Sequence, residues 1–305
     1  TSGNLASDGQ LVFAVESPPE SLVSEITING FGRGFLRMAP DWHAGNMLSA
    51  FDLGSQGELR WQLPRDSEAE NPEADTDNTA DNQAASWYLG GPLVIGDELL
   101  VLVEQQGEVR LDVLAAADGK RRWSQPLATY DDDESIVNPV ARSRRLAGLT
   151  PAAAEGIVVC PVGGGCIVAV EAASRSLLWA HSYRRARAAI EATRAEDTGD
   201  PRTAAIQRCD PCPEIAQGRV LVTPHDAETL LCLEARTGKA LWSVPSGQHL
   251  RIAGVVRGQV IVTGQTAVEA IDLQTGRPTW RWPYPEGTRP SGRGILTGQS
   301  LLQPL

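Results

Sequence analysis

ARTGKALW, residues 235–242, joins a Thr-Gly-Lys turn to a tryptophan and offers no evident chemistry of its own. It nevertheless recurs. SAFDLGSQGELRW (49–61), DVLAAADGKRRW (112–123), VAVEAASRSLLW (168–179), LCLEARTGKALW (231–242) and EAIDLQTGRPTW (269–280) align on Trp61, Trp123, Trp179, Trp242 and Trp280. Four residues before the tryptophan stands Gly57, Gly119, Gly238 or Gly276, with Arg175 in the third copy. Lys120, Lys239 or Arg277 follows the glycine directly in three copies. Ten residues before the tryptophan is a small side chain, Val113, Ala169, Cys232 or Ala270. In the first copy Ala50 lies eleven before it, as if one residue were inserted. Five phrases in register constitute an internal repeat, and a repeat governs the fold before any other feature does.

Each phrase follows a second recurring element: DGQLVFAVES (8–17), GDELLVLVEQQG (96–107), EGIVVCPVGGG (155–165), QGRVLVTPHDAE (217–228) and RGQVIVTGQ (257–265). A polar-glycine turn leads into four or five apolar β-formers and then into another turn. Short apolar pieces such as GPLVI (91–95) and AGVV (253–256) come before it. One unit therefore reads as four short strands joined by tight turns, an antiparallel meander. Apolar residues at nearly every strand position imply burial on both faces. Four-stranded sheets buried on both faces must stack on copies of themselves, and radial stacking gives the blades of a β-propeller. The expected fold is all-β, with blades ending near residues 61, 123, 179, 242 and 280 and a partial sixth at 290–305, all within one domain spanning 1–305.

The tryptophan then has a structural task. A large ring at a fixed point of each blade fills the gap to the neighbouring sheet, burying about 150–250 Å². It needs a small residue opposite and a bare glycine backbone nearby. The glycine also supplies the positive φ of a tight connection.

These phrases resemble the tryptophan-docking motif of the PQQ-like (quinoprotein-like) β-propeller repeat, Ala-x-Asp-x-x-Thr-Gly-Lys-x-x-Trp. Ala270, Asp272, Thr275, Gly276 and Trp280 agree with it, with Arg277 in place of lysine. The resemblance, closest to the non-enzymatic bacterial type, implies that each ring stacks on the small residue of its own motif and on the glycine peptide of the next blade. It implies an extracytoplasmic protein, periplasmic or envelope-associated, that binds another protein. Quinoprotein dehydrogenases of the same superfamily hold PQQ and Ca²⁺ under a vicinal cysteine pair. The chain has no adjacent cysteines, and shared blades do not imply a bound quinone. The expected function is a non-catalytic scaffold presenting rim loops and a central funnel to a protein or carbohydrate partner, with no cofactor. The alternative is a PQQ- and calcium-dependent dehydrogenase, or a fragment of one.

Intervals between tryptophans are 62, 56, 63 and 38 residues. The last is close to a bare blade, so the others carry insertions. Residues 65–86 hold seven acids and one arginine and have the composition of a disordered loop. ATYDDDESIVNPVARSRRLAGLT (128–150) runs from acidic to basic, and 183–207, rich in alanine and arginine, could hold a short helix. All three follow a tryptophan and precede a first strand, which puts them on one rim, where propellers carry function. In the first unit the excess lies inside the blade, at 17–47.

The net charge of −11, from 27 basic and 38 acidic residues among 305, argues against a nucleic-acid surface. No stretch approaches the ~20 apolar residues of a membrane span. Cys209 and Cys212 form a C-x-x-C, readable as redox-active, as half a zinc site, as a local disulfide or as inert thiols. Cys160 and Cys166 match a second zinc pair poorly. His43, His181, His225 and His249 are scattered, and His225, in TPHDAE, reads as a solvated turn residue. No catalytic residue and no metal ligand is expected. PSGRGILTGQSLLQPL (290–305) repeats the pattern of LRIAGVVRGQVIVTGQ (250–265). It makes half a blade, and the chain is expected to be an open arc completed, to seven or eight blades, from the same polypeptide.

Overall fold

The structure is a computed structural model and describes residues 5–16, 45–64, 86–130, 139–183, 185, 210–247, 249–290, 294–298 and 300–304. The described residues are almost entirely β and fall into two compact units, 1–138 and 139–305.

The first unit holds two sheets. Sheet 1 is the meander β1 (Ala6–Ser7), β2 (Leu11–Glu16), β3 (Met47–Asp52) and β4 (Glu58–Leu63). In sheet 2 the first strand is split in two. Both β5 (Ser86–Tyr88) and β6 (Leu93–Ile95) pair with β7 (Glu98–Gln105), which continues into β8 (Glu108–Ala115) and β9 (Arg121–Thr129). The break falls on Gly90-Gly91-Pro92, where a continuous ladder is hardest to hold.

The second unit opens with helix α1 (Pro139–Leu146) and then repeats the meander three times. Sheet 3 is β10 (Ala152–Ala154), β11 (Ile157–Gly163), β12 (Cys166–Glu171) and β13 (Ser176–Ser182). Sheet 4 is β14 (Glu214–Ala216), β15 (Arg219–Val222), β16 (Thr229–Glu234) and β17 (Ala240–Pro245). Sheet 5 is β18 (His249–Val256), β19 (Gln259–Gly264), β20 (Ala267–Asp272) and β21 (Pro278–Pro283). A hairpin, β22 (Ile295–Thr297) and β23 (Ser300–Leu302), follows. In these three meanders every pairing is antiparallel between neighbours in sequence, as the alternation of apolar runs and glycine turns requires.

The turns follow from local chemistry. Between the first and second strands of sheets 3, 4 and 5 stand Glu155-Gly156, Gln217-Gly218 and Arg257-Gly258, each pair with both φ between 51° and 78°. Two successive left-handed residues make the I′ turn, whose twist matches that of the flanking strands.

Burial falls from the inside of each sheet outward. β11 is buried at every position and β7 at all but its two ends, so both faces are covered. The fourth strands are largely exposed, β21 along its whole length. Within the second unit the first strands β10, β14, β18 and β22 lie side by side in succession. The sheets therefore converge on their first strands and splay toward their fourth, the blade arrangement of a propeller. The core is the set of layers between sheets. Leu11, Phe13, Leu48 and Trp61 pack on Leu99, Val101 and Leu114 between sheets 1 and 2. Ile157, Val159 and Trp179 meet Val220, Val222 and Leu233 between sheets 3 and 4, and Leu221 and Cys232 meet Val260, Val262 and Leu273 between sheets 4 and 5.

Helix α1 occupies the second half of the acidic-to-basic stretch 128–150. Its last turn carries Arg144 and Arg145, which suit the negative end of the helix dipole. The acidic stretch 65–86, apart from Ser86, and the expected helix within 183–207, apart from Tyr183 and Arg185, lie outside the described residues, as does Trp42.

Candidate functional site

The tryptophan phrase builds one half of a joint. Across the strand pair, Trp61 faces Ala50, Trp123 faces Val113, Trp179 faces Ala169, Trp242 faces Cys232 and Trp280 faces Ala270. In each sheet the register shifts by one at this point, leaving the residue before the tryptophan as a bulge. A bulge re-aims the side chain beside it. The extra residue of the first copy lies in its turn, between Asp52 and Glu58, so the Ala50–Trp61 pairing is kept.

The other half belongs to the next sheet. Gly57, Gly119, Gly238 and Gly276 have φ of 87°, 72°, 68° and 71°, and Arg175 takes the same left-handed position at 58°. A Cβ added at Gly119 would stand 2.9 Å from the Trp61 ring, one at Gly238 2.6 Å from the Trp179 ring, and one at Gly276 2.7 Å from the Trp242 ring. Each indole N–H then donates to the carbonyl three residues before that glycine: Trp61 to Ala116 at 2.9 Å, Trp179 to Ala235 at 2.8 Å and Trp242 to Leu273 at 2.9 Å. Trp61 and Trp179 are only 8% and 7% exposed, and Trp242 is half-buried.

Trp280 departs from the expectation of burial. It is 43% exposed, and its N–H donates instead to Gln259 of its own sheet. Among the described residues no glycine turn covers it. At Gly57 a Cβ would meet nothing within 4 Å. Trp123 is half-buried. Outside the register, Trp87 is buried and Trp282 is 69% exposed.

The polar centre of the second unit lies where the second-to-third turn and the exit of the fourth strand share one end of each sheet. His225 and Asp226, in the turn between β15 and β16, are buried, Asp226 at 2% exposure. This corrects the reading of His225 as a solvated turn residue. The Asp226 carboxylate accepts from the Gly165 N–H at 3.1 Å and from the Tyr183 hydroxyl at 2.6 Å, and pairs with Arg185 Nε at 3.3 Å. It thereby holds the β11–β12 turn and the chain leaving β13. Gly163 has φ 75°, and a Cβ there would lie 3.2 Å from both His225 Cε1 and Arg144 Cγ, so the histidine and the wholly buried Arg144 of α1 close over a bare glycine. Burial chiefly lowers the His225 pKa. Asp226 pulls it back up, and Arg185 and Arg144 push it further down.

Between sheets 4 and 5 a cavity of about 610 Å³ is lined by Ser246, His249, Thr266, Glu269 and Arg281 with apolar walls from Val244 and Ile271. His249 Nε2 and Arg281 Nε each lie 3.0 Å from the Glu269 carboxylate. Burial alone would raise the Glu269 pKa, but hydrogen bonds from His249 and Arg281 outweigh it and hold the carboxyl below its ordinary value.

Cys160, Cys166 and Cys232 are not in disulfides; burial pushes the Cys160 thiol far up and that of Cys232 to about 11, which keeps them protonated. Cys209 lies outside the described residues. Among the described residues no group of three or more His, Cys, Asp or Glu is placed to hold a metal ion, and no helix is long and apolar enough to cross a membrane.

Residues 165–301 match the family model described as outer membrane protein assembly factor BamB. The BamB of Burkholderia pseudomallei (strain K96243) is 26% identical over 194 residues, covering 62% of this chain and 44% of that protein. The quinohemoprotein alcohol dehydrogenase ADH IIB of Pseudomonas putida is 28% identical over 207 residues, covering 61% and 26%. The structure of BamB from Moraxella catarrhalis aligns with a TM-score of 0.47 at 14% identity, over 91% of this chain and 60% of that one. The chain thus spans less than half the length of the curated relatives it matches. The tryptophan phrase is repeated in five successive sheets and both sequence relatives are PQQ-like repeat proteins, so the chain is similar in sequence and repeat to the PQQ-like β-propeller proteins, with the family model matching residues 165–301.

Proposed function

We propose that this chain is a non-catalytic propeller scaffold of the bacterial envelope, outside the cytoplasm, that presents its rim to a protein partner. The observation that carries the reading is the use made of Asp226. A buried carboxylate at the rim is the group a reaction centre would leave facing a substrate or a calcium ion. Here its oxygens are taken up by Gly165, Tyr183 and Arg185, three groups that fix chain segments in place. Glu269 is engaged likewise by His249 and Arg281. These donor sets do not suit calcium or a quinone, so no step is derived through either. The relative named BamB supports the same direction. Trp280 belongs to this proposal too, as a half-joint open to a further blade.

The test compares the two ends of sheets 3 and 4. A photo-cross-linking residue at Arg145, on α1, should capture a protein from envelope extracts, whereas one at Lys239, in the opposite turn, should not. Equal capture at both positions would defeat the rim assignment. The quinoprotein dehydrogenase reading rests on the alcohol dehydrogenase relative. Dye-linked alcohol oxidation on adding PQQ with Ca²⁺ would establish it in place of the scaffold.

A further inference from the structure

We infer that His225 is an acid-sensitive latch on the rim of sheet 3. The argument starts from who shares its burial. From its own turn comes Asp226. From α1 comes Arg144, with Arg145 beside it on the same helix. From the chain leaving β13 come Tyr183 and Arg185. From the β11–β12 turn come only the backbones of Gly163 to Gly165. The described charges facing the imidazole are therefore two guanidiniums and one carboxylate, and that carboxylate is already engaged three times. A neutral imidazole fits this company. A protonated one adds a cation beside the guanidiniums of Arg144 and Arg185, and burial raises the cost of carrying that charge.

The sign follows. The folded His225 pKa is below the ordinary 6.5. Below pH 6.5 the unfolded or opened chain therefore binds a proton that the closed rim refuses. Closure is fully favoured above 6.5 and is progressively lost as the pH falls from there toward the folded value. The parts that must give are those resting on His225 and Asp226: α1 through Arg144, and the contacts of Tyr183 and Arg185. Among the described residues the charges acting on the imidazole are Asp226, Arg185 and Arg144, all at this rim. Opening is expected at the rim, with the sheets intact. The inference stands on this geometry whether or not the scaffold reading holds, because it needs no partner.

The experiment is hydrogen exchange of the full chain between pH 7.5 and 5.0, corrected for the intrinsic pH dependence of exchange. Protection of the peptides covering 139–149 and 163–166 should fall more than tenfold on acidification while β15 and β19 stay protected. In His225→Gln, which keeps a neutral polar side chain, the same peptides should keep pH-independent protection, and His249→Gln should behave as the parent. An unchanged pH response in His225→Gln would overturn the latch. If that variant does not fold, the parent itself decides. A His225 ring signal titrating at or above 6.5, or titrating with no change in the α1 amides, would refute the inference. Titration below 6.5 in step with loss of α1 protection supports it.

Discussion

Two edges of the second unit carry the same motif and treat it differently. At the outer strand of sheet 3, Trp179 is buried against Gly238 and hydrogen-bonded to Ala235. At the outer strand of sheet 5, Trp280 has the same small cross-strand partner and the same bulge, yet lies exposed over Gln259. The motif within a sheet thus makes only a protruding ring. Burial is conferred by the neighbour, through a left-handed turn with no side chain. A tryptophan in register reports half of a contact.

That comparison can be broken in several places. Trp179→Ala should have the largest effect, a loss of about 3–5 kcal/mol in chemical denaturation, because it removes a buried aromatic and leaves a cavity. The paired glycines separate the joint from the turn. Gly238→Ala adds a methyl against the Trp179 ring as well as left-handed strain, and should cost about 2–4 kcal/mol. Gly57→Ala, with the same sign of φ and open space around it, should cost only about 1 kcal/mol from strain. Equal losses at both would mean that the ring contact contributes nothing. Trp280→Ala should change stability by less than about 1 kcal/mol, since the ring is already 43% exposed and, among the described residues, meets no glycine turn of a neighbouring sheet. A loss as large as at Trp179 would show that Trp280 is docked in solution. The smallest effect has the opposite sign. Arg175→Gly relieves a non-glycine residue held at φ 58°, and a thermal melt should register a gain of about 0.5–1 kcal/mol.

The sheets were readable in the sequence because their information is local. A strand of about six residues, a glycine turn and a tryptophan at a fixed offset leave a pattern that survives drift. Even the inserted residue of the first copy was visible, as a displaced Ala50. What the pattern could not tell is whether a joint is filled. Residues 270–280 match the motif almost position by position and bear the most exposed ring of the five. The polar centre was illegible for a related reason. Arg144, Gly163, Tyr183 and Asp226 span more than eighty residues, come from four separate segments and follow no period. Only the three consecutive glycines at 163–165 and the adjacent His225 and Asp226 hinted that something closes there. The split first strand of sheet 2 was likewise half seen, as GPLVI without β5.

The acceptors of the three docked indoles are main-chain oxygens of Ala116, Ala235 and Leu273. A carbonyl is the same on every residue, so the joint makes no demand on the identity of the amino acid that supplies it. Each sheet is then addressed to a generic surface and not to a particular neighbour. Sheets of this kind are interchangeable parts: one can be copied, moved or lost without rewriting the next, provided the glycine and the ring travel with it. A chain in which residues 210–247 are duplicated in tandem would need no new interface chemistry, which is how repeat number can vary while the joint stays constant.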